Sequence, residues 1–327
     1  MADEKNTPRK TTAEILAKGH ARAAQAKQAA PVQSELTVTP AQPQKLPLWP
    51  DVVRGVPNGV LRSALFGAIK KGPRRYVQGE LVAALDGIEI RYKGERLDQG
   101  DLDVWANVLH AVRFQELGSQ CRLTSYALLK LMGKTDTGKN RATLQTRIER
   151  LVANALTVKQ GRYSYMGNLI AGAAKDEETQ EWVIELNPKL RPLFAADQFT
   201  QVEWAVRHAL DGQPLAQWLH GFYASHAKPF PMKVETLLTL SGSENANPRS
   251  AWQTLRKALD AVADASAAHG EGSATTFAAT SYTLKRSPTE RNAGTWPRRL
   301  ASQENRSLEY RSSACRIPFQ RMPDTVP

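Results

Sequence analysis

The chain has 327 residues, a formal net charge of +12 and a hydrophobic content of 41%. That length has room for two ordinary domains plus tails, and the excess of Lys and Arg favours a polyanionic partner such as nucleic acid. Cys121 and Cys315 are too few and too far apart for a disulfide framework or a zinc site, and no apolar run approaches the length of a membrane span. We therefore expect a soluble, cytoplasmic protein.

Composition predicts disordered ends around two folded regions. Residues 1–45 are rich in Ala, Lys, Gln and Pro and carry few aromatic or β-branched residues, so they cannot bury enough apolar surface to fold alone. Residues 287–327 are rich in Arg, Ser and Pro and show no periodicity. We expect a first domain over 46–188, a second over 189–286, and disordered basic segments at both ends.

In the first folded region the hydrophobic pattern predicts a β-hairpin, three helices and two further strands. The helices are separated by a polar turn at Gly133–Gly138, and a Gly- and Ala-rich mobile segment is expected between the last strands. The order helix, helix, turn, helix, strands is that of a winged helix. The predicted segments are the hairpin Leu81–Leu85 and Ile88–Tyr92, the helices Leu102–Phe114, Leu123–Met132 and Lys139–Ala155, and the strands Leu156–Tyr165 and Glu181–Leu186.

The second region repeats this order. Asn247 is the predicted N-cap of its last helix, and Pro248 stands at the first helical position, where proline is tolerated. The expected fold class is therefore α+β, mainly α, with two tandem winged-helix domains. The predicted segments are the helices Trp204–Leu210, Leu215–His226, Val234–Leu240 and Pro248–Ala263, and a closing strand at Phe277–Lys285.

Each last helix has a polar face that suits the major groove, where Arg pairs with guanine, Gln with adenine, and Thr or Lys with phosphate. In the first helix the apolar stripe contains Leu144, Ile148, Leu151 and Ala155, and Arg141 lies too near it to be counted. In the second helix the stripe is Trp252, Leu255, Leu259 and Val262. The predicted DNA contacts are Lys139, Thr143, Thr146, Arg147 and Arg150 in the first helix and Arg249, Ser250, Gln253 and Lys257 in the second.

Two further cations are predicted to contact phosphate from the wings. Arg162 lies at the tip of the hairpin predicted after the helix Lys139–Ala155, and Lys285 ends the last predicted strand. Such contacts would position the protein without specifying sequence. The alternative for both helices and both wings is an ordinary solvated polar surface.

Gly133–Lys139 fits the G-x4-G-K frame of a phosphate-binding loop. The next residue is Asn140 rather than Ser or Thr, and the preceding segment indicates a helix where that motif needs a strand. We therefore interpret the loop as the turn of a helix-turn-helix. The six histidines are scattered and no catalytic or metal-ligand spacing occurs, so we expect no cofactor, no metal and no enzymatic activity.

Several motifs in order resemble the TrfA-type plasmid replication initiators over residues 46–265. The resemblance implies tandem winged-helix domains that bind direct repeats (iterons) at a plasmid origin as a monomer. It also implies opening of an AT-rich element, recruitment of the host initiator and replicative helicase in a bacterial cell, and copy control by inactive dimers or by repeat-to-repeat pairing. The matching stretches are Leu48–Asp51, Pro57–Asn58, Arg62–Phe66, Ile90–Gly94, Leu193–Ala195, Phe222–His226 and Pro229–Thr236.

At Gln44, Leu46, Leu48 and Trp49 the family carries a short peptide similar to ligands of the replication sliding clamp. Here Lys45 interrupts it and Trp49 replaces a phenylalanine. This segment either binds the clamp or anchors the linker on the first domain. For the whole chain, the competing functions are a plasmid-borne transcriptional repressor and a nucleotide-dependent partition or mobilisation enzyme.

Overall fold

The computed structural model describes residues 45–70, 72–85, 87–227, 232–245 and 247–270, and all of them belong to one compact unit. Apart from Lys45, the predicted disordered ends lie outside the described residues. The predicted strand Phe277–Lys285 and the predicted contacts Gln44 and Lys285 lie outside them too. Within the described ranges the chain is a mixed α/β protein, and no helix there is long and apolar enough to cross a bilayer.

The elements follow one another with short connections. The strands are β1 Val53–Pro57, β2 Phe66–Gly67, β3 Tyr76–Val82, β4 Ile88–Glu95, β5 Leu97–Asp98, β6 Gln120–Thr124, β7 Ala155–Gln160, β8 Tyr163–Gly167, β9 Gly172–Lys175, β10 Glu181–Glu185 and β11 Phe199–Glu203. The helices are α1 Asn58–Leu61, α2 Gln99–Val112, α3 Ser125–Leu131, α4 Gly138–Val152, α5 Trp204–Ala209, α6 Pro214–Ala224, α7 Val234–Leu240 and α8 Pro248–Ala268, with a 3-10 helix at Pro188–Phe194.

Most strands form two antiparallel sheets. One has the order β3-β4-β7-β8 and the other the order β6-β10-β9, while β1 pairs with β11 and β2 pairs with β5. The predicted hairpin near residues 81–92 is confirmed as β3 and β4. The helices predicted from periodicity are confirmed as α2, α4, α5, α6, α7 and α8, with shifts of a few residues at their ends.

The predicted strand Glu181–Leu186 is confirmed as β10, whereas two other predictions for this part of the chain were wrong. The segment Leu156–Tyr165 is a hairpin, β7 and β8, that extends the β3–β4 sheet. The strand beside β10 is β9, which lies in the segment predicted to be mobile. The helix predicted from Leu123 begins at Ser125, because Leu123 pairs with Trp182 within β6, which ends at Thr124. These pairings join residues far apart in sequence, which local periodicity does not reveal.

The first hydrophobic core surrounds α2. Trp105 and Leu109 are fully buried, because α4 packs on one side of α2 and β1 on another. The helix begins at a capping box, in which the Asp98 carboxylate accepts from the Asp101 amide and the Asp101 carboxylate accepts from the Asp98 amide, both at 2.9 Å. Leu144, Ile148 and Leu151 of α4 lie in this core as predicted.

A second core lies among α5, α6, α7 and α8. Leu219, Phe222 and Leu255 are buried at its centre. Trp252, predicted to be buried, is partly exposed. The first core still includes Phe194 and Val202, and the second begins at Val206, so the change of core falls later than the predicted 188/189 boundary.

Arg207 joins the two cores. Its Nε lies 2.6 Å from the Asp103 carboxylate, and its Nη2 donates to the Gln99 side-chain oxygen at 3.0 Å. A third donor, Nη1, reaches the Gln217 carbonyl at 3.2 Å. Because the side chain is only 3% exposed and each end of the guanidinium is bonded, this network fixes α5 and α6 against α2.

Candidate DNA-binding surface

Three of the predicted contacts on α4 lie in solvent. Lys139, Thr143 and Thr146 are exposed along one stripe of the helix, together with Glu149. The Thr143 hydroxyl donates to the Lys139 carbonyl at 2.9 Å, and that of Thr146 donates to the Ala142 carbonyl at 3.1 Å. The stripe therefore offers one lysine, two hydroxyl oxygens that can still accept, and one opposing carboxylate.

Arg150 and Arg147 are not on that stripe, contrary to the prediction. The Arg150 side chain is 10% exposed, with Nη1 2.6 Å from Asp101 and Nε 3.1 Å from Glu95. The Arg147 side chain is 15% exposed and its Nε lies 3.9 Å from Asp101. Both arginines neutralise carboxylates below the helix, which a helical wheel of α4 alone cannot reveal, and they are unavailable to bases in this arrangement.

The carboxylates of this cluster have shifted acidities. Burial and the neighbouring charge of Asp98 raise the pKa of Asp101, although Arg150 opposes the shift. Burial also acts against ionisation of Asp98, but the charges of Arg147 and Arg74 outweigh it and lower the pKa of Asp98. Arg147 and Arg150 thus have a structural role, because their charges favour the ionised forms of Asp98 and Asp101 at the start of α2.

Two other arginines of the first region, Arg141 and Arg162, lie in different surroundings from those predicted. Arg141, which was not counted, keeps 40% of its side chain exposed and pairs with Asp136 at 2.6 Å. Arg162 is exposed at the β7–β8 turn, with its guanidinium 5.1 Å from the centre of the Tyr163 ring. That hairpin belongs to the four-stranded sheet, so Arg162 does not lie on the three-stranded sheet that follows α4.

The second predicted helix, α8, matches its predicted face. Arg249, Ser250, Gln253 and Lys257 are all exposed, and Arg249 and Lys257 form no ion pair within the described ranges. These positions span nine residues, or about 12 Å of helix. The C-terminal half of α8 instead exposes Asp260 and Asp264. The exposed basic end of α8 is therefore its N-terminal half.

The start of α8 is fixed by its cap. The Asn247 side chain accepts from the amides of Arg249 and Ser250, at 3.0 and 3.2 Å, which confirms the predicted N-cap. The Asn245 amide also donates to the Ser250 hydroxyl at 3.1 Å. These bonds hold the backbone from which Arg249 and Gln253 project.

The segment Leu46–Trp49 packs against the first hydrophobic core through two of its side chains. Leu46 and Trp49 are 3% and 4% exposed, whereas Leu48 is 67% exposed. Trp49 stacks on Phe194 with ring centroids 6.2 Å apart, and its indole donates to His110 Nδ1 at 3.0 Å. Two of the four side chains that a clamp would bind, Leu46 and Trp49, are thus in the core, which favours the linker-anchor alternative.

The phosphate-loop lookalike connects two helices. Gly133–Thr137 follows α3 and precedes α4, and Thr137 caps α4 by accepting from the Asn140 amide at 3.2 Å. This is the setting of a helix-turn-helix turn. Among the described residues no group of His, Cys, Asp or Glu is arranged to hold a metal ion.

One basic segment was missed by the sequence analysis. Between β2 and β3 the chain reads Lys-Lys-Gly-Pro-Arg-Arg from residue 70 to residue 75, with four cations in six positions. The density of cations around a Gly-Pro pair was the available signal. The segment belongs to no predicted helix face and to neither predicted wing, so the hydrophobic pattern does not single it out.

Comparison with known proteins gives a consistent set of relatives. A family model described as TrfA protein matches residues 8–269. The chain is 26% identical over 253 residues to the plasmid replication initiator protein TrfA of Escherichia coli, and the match covers 75% of this chain and 65% of that protein. This chain thus spans just under two-thirds of the length of that curated relative.

Two crystal structures of domains 2 and 3 of RctB are similar at 15% identity. One match, to a selenomethionine derivative, covers 67% of this chain and 86% of that chain with a TM-score of 0.46. The other covers 60% and 80%, with a TM-score of 0.40.

Proposed function

We propose that this chain, which belongs to the TrfA protein family, is a plasmid replication initiator that binds direct repeats at an origin through two winged-helix units. The observation that carries the proposal is the exposed basic half of α8. Arg can pair with guanine and Gln with adenine at base edges, and the capped N-terminus presents Arg249, Gln253 and Lys257 on one face.

The first winged-helix unit consists of α2, β6, α3, α4 and the β9–β10 hairpin. Its sheet order, β6-β10-β9, places the strand that precedes α3 beside the last strand, as a winged helix requires. The β7–β8 hairpin is an insertion after α4 in this topology. The β9–β10 turn carries Asp176, Glu177 and Glu178, so this wing is unsuited to phosphate.

The second unit consists of α6, α7 and α8. The helix α4 exposes a single lysine, and its three arginines are all paired with carboxylates: Arg141 with Asp136, and Arg147 and Arg150 with Asp101. We therefore expect the two units to contribute unequally to DNA binding. In this proposal α8 supplies most of the base discrimination, while Lys139, Thr143 and Thr146 of α4 add phosphate or methyl contacts.

The chain acts in this proposal without catalysis. It deforms origin DNA, with the bending energy repaid by protein contacts, and assembles the host initiator and replicative helicase on the opened strand. An inactive dimer limits initiation, and the site of action is the bacterial cytoplasm. A clamp contact is left out, because Leu46 and Trp49 lie in the core.

Plasmid maintenance in trans tests the proposal. A plasmid whose only origin is the DNA flanking this chain's gene should be maintained when the chain is supplied from elsewhere. Gln253→Ala should abolish maintenance, because losing a bidentate base contact costs roughly 1–3 kcal/mol of binding free energy. Gln201→Ala, on an exposed position of β11, is the matched control and should support maintenance.

The same cells separate the competing function. A transcriptional repressor would silence a promoter in the flanking DNA yet fail to sustain the plasmid. If the plasmid is maintained by the wild-type chain and lost with Gln253→Ala, the initiator function is supported. If the promoter is silenced but the plasmid is not maintained, the initiator function is refuted.

A further inference from the structure

The basic segment between β2 and β3 exposes cations that no described element covers. Lys70, Gly72, Pro73 and Arg75 are exposed, and Lys71 lies outside the described residues. Gly72 has a φ of 153°, which favours glycine, and a Cβ added there would meet no atom within 4 Å. The crown of the loop therefore has open space around it for another molecule to approach its backbone.

The loop is fastened at its C-terminal side by a buried ion pair. The Arg74 guanidinium bonds the Asp98 carboxylate, with both side chains at most 10% exposed. A second donor of Arg74 reaches the Lys70 carbonyl at 3.4 Å, which closes the loop on itself. Because Pro73 also restricts the backbone, the cations are held near one position and less conformational entropy is lost on binding.

The loop lies beside the turn that precedes α8 and beside a cleft lined by α4. Directly before it, the Ala68 amide donates to the Ser241 carbonyl at 2.7 Å, at the start of the turn that leads to α8. From the neighbouring β5 side, Arg96 donates to the Gly242 carbonyl of the same turn at 2.9 Å. On its other side, Lys70 faces Lys139 and Thr143 of α4 across a cleft of about 460 Å³.

We propose that Lys70 and Arg75 bind the phosphodiester backbone of the DNA between the contacts made by α4 and α8. The inference rests on the proposed function, since it needs a duplex lying on both helices. Lys70 has no ion-pair partner in the described ranges. Arg75 pairs only with Glu80, and both side chains are largely exposed, at 62% and 47%, so solvent screens this pair and a phosphate can replace it.

The chemistry of these side chains suits the DNA backbone. An ammonium and a guanidinium are donors only, which matches phosphate oxygens. The described residues of the loop form no helix or strand that could carry an arginine into the major groove to read guanine. Each phosphate neutralised by such a cation releases condensed counterions, so binding through this loop depends on salt and not on sequence.

Salt-dependent affinity measurements with Lys70→Gln and Arg75→Gln test the inference. Each variant of the full chain is titrated with a labelled origin repeat and with a random duplex of equal length, over a series of salt concentrations. We expect each change to weaken binding to both duplexes by the same factor and to reduce the slope of log affinity against log salt by about one. Lys189→Gln, an exposed lysine on the 3-10 helix, is the control and should keep the full slope.

The outcomes separate this inference from the proposed function. If the wild-type chain prefers the repeat but both variants match the control, the loop does not contact DNA and the initiator function stands. Loss of preference for the repeat with an unchanged slope would place the two cations on bases and overturn the phosphate assignment. A wild-type chain that binds neither duplex would overturn both proposals.

Discussion

Arg150 bridges Asp101 of α2 and Glu95 of β4, and only 10% of its side chain is exposed. Removing one partner of a buried pair leaves a charge without compensation, which costs roughly 3–5 kcal/mol. We expect Arg150→Ala to lower the free energy of unfolding by about that amount in urea denaturation. We expect a loss at the lower end of this range. The pKa of Asp101 is raised, so this carboxylate can be protonated and lose its unpaired charge once Arg150 is removed.

A double-mutant cycle provides the control for Arg150. Arg150→Ala combined with Asp101→Asn should cost less than the sum of the two single changes, since the second change removes the stranded charge. If Arg150→Ala instead left stability unchanged and altered the base preference, Arg150 would be a DNA contact, as the sequence alone predicted.

His110 gives the protein a pH-dependent stability. Burial and the charges of Arg54 and Arg113 lower the pKa of His110 from 6.5 to about 4. Its Nδ1 accepts from the Trp49 indole, so protonation would break that bond. Between these pH values His110 is protonated in the unfolded chain but neutral in the folded chain. The contribution of neutral His110 to the free energy of unfolding is therefore complete above pH 6.5 and is lost as the pH falls toward 4.

The effect is measurable by comparing two proteins across this pH range. A pKa difference of this size corresponds to roughly 3 kcal/mol of unfolding free energy when the loss is complete. His110→Gln keeps an acceptor for Trp49 but does not titrate, so its stability should fall less steeply with acidification. Equal pH slopes for the two proteins would contradict a neutral, buried His110.

Among whole elements, α8 depends most directly on its cap. Asn247 binds two of the first free amides of the helix. Asn247→Ala should cost about 1 kcal/mol of unfolding free energy and weaken DNA binding, because Arg249 and Gln253 follow within two turns. Asn247→Asp, which keeps the acceptor, should restore both. Full DNA affinity in the alanine variant would show that the cap does not position the recognition face.

Elements whose signals are local could be predicted from the sequence. Asn247 and Pro248 mark the start of α8 because cap chemistry acts within three residues, and the spacing of Leu144, Ile148 and Leu151 reveals the buried face of α4.

Elements that depend on distant partners could not be predicted. The two carboxylates that hold Arg150 lie 49 and 55 residues away in sequence. The β7–β8 hairpin joins β4 through pairs such as Ile90 with Val158. No pattern within α4 or within the hairpin specifies these partners, so two DNA contacts and one wing were misplaced.

At the scale of the whole molecule, the junction between the two cores fixes the geometry of the proposed DNA contacts. The buried Arg207 network and the bonds from Ala68 and Arg96 to the turn before α8 leave little freedom between α4 and α8. A chain with two joined units can span one repeat as a monomer. Its DNA contacts should therefore keep a fixed spacing from one repeat to the next.

Hydroxyl-radical footprinting on the DNA that flanks this chain's gene tests whether the chain binds direct repeats as a monomer. We expect protection that recurs at about 21 base pairs, two helical turns, along direct repeats. One chain should occupy each repeat when complexes are weighed by analytical ultracentrifugation. A single palindromic protected site occupied by a dimer, and left unchanged by Gln253→Ala, would contradict it.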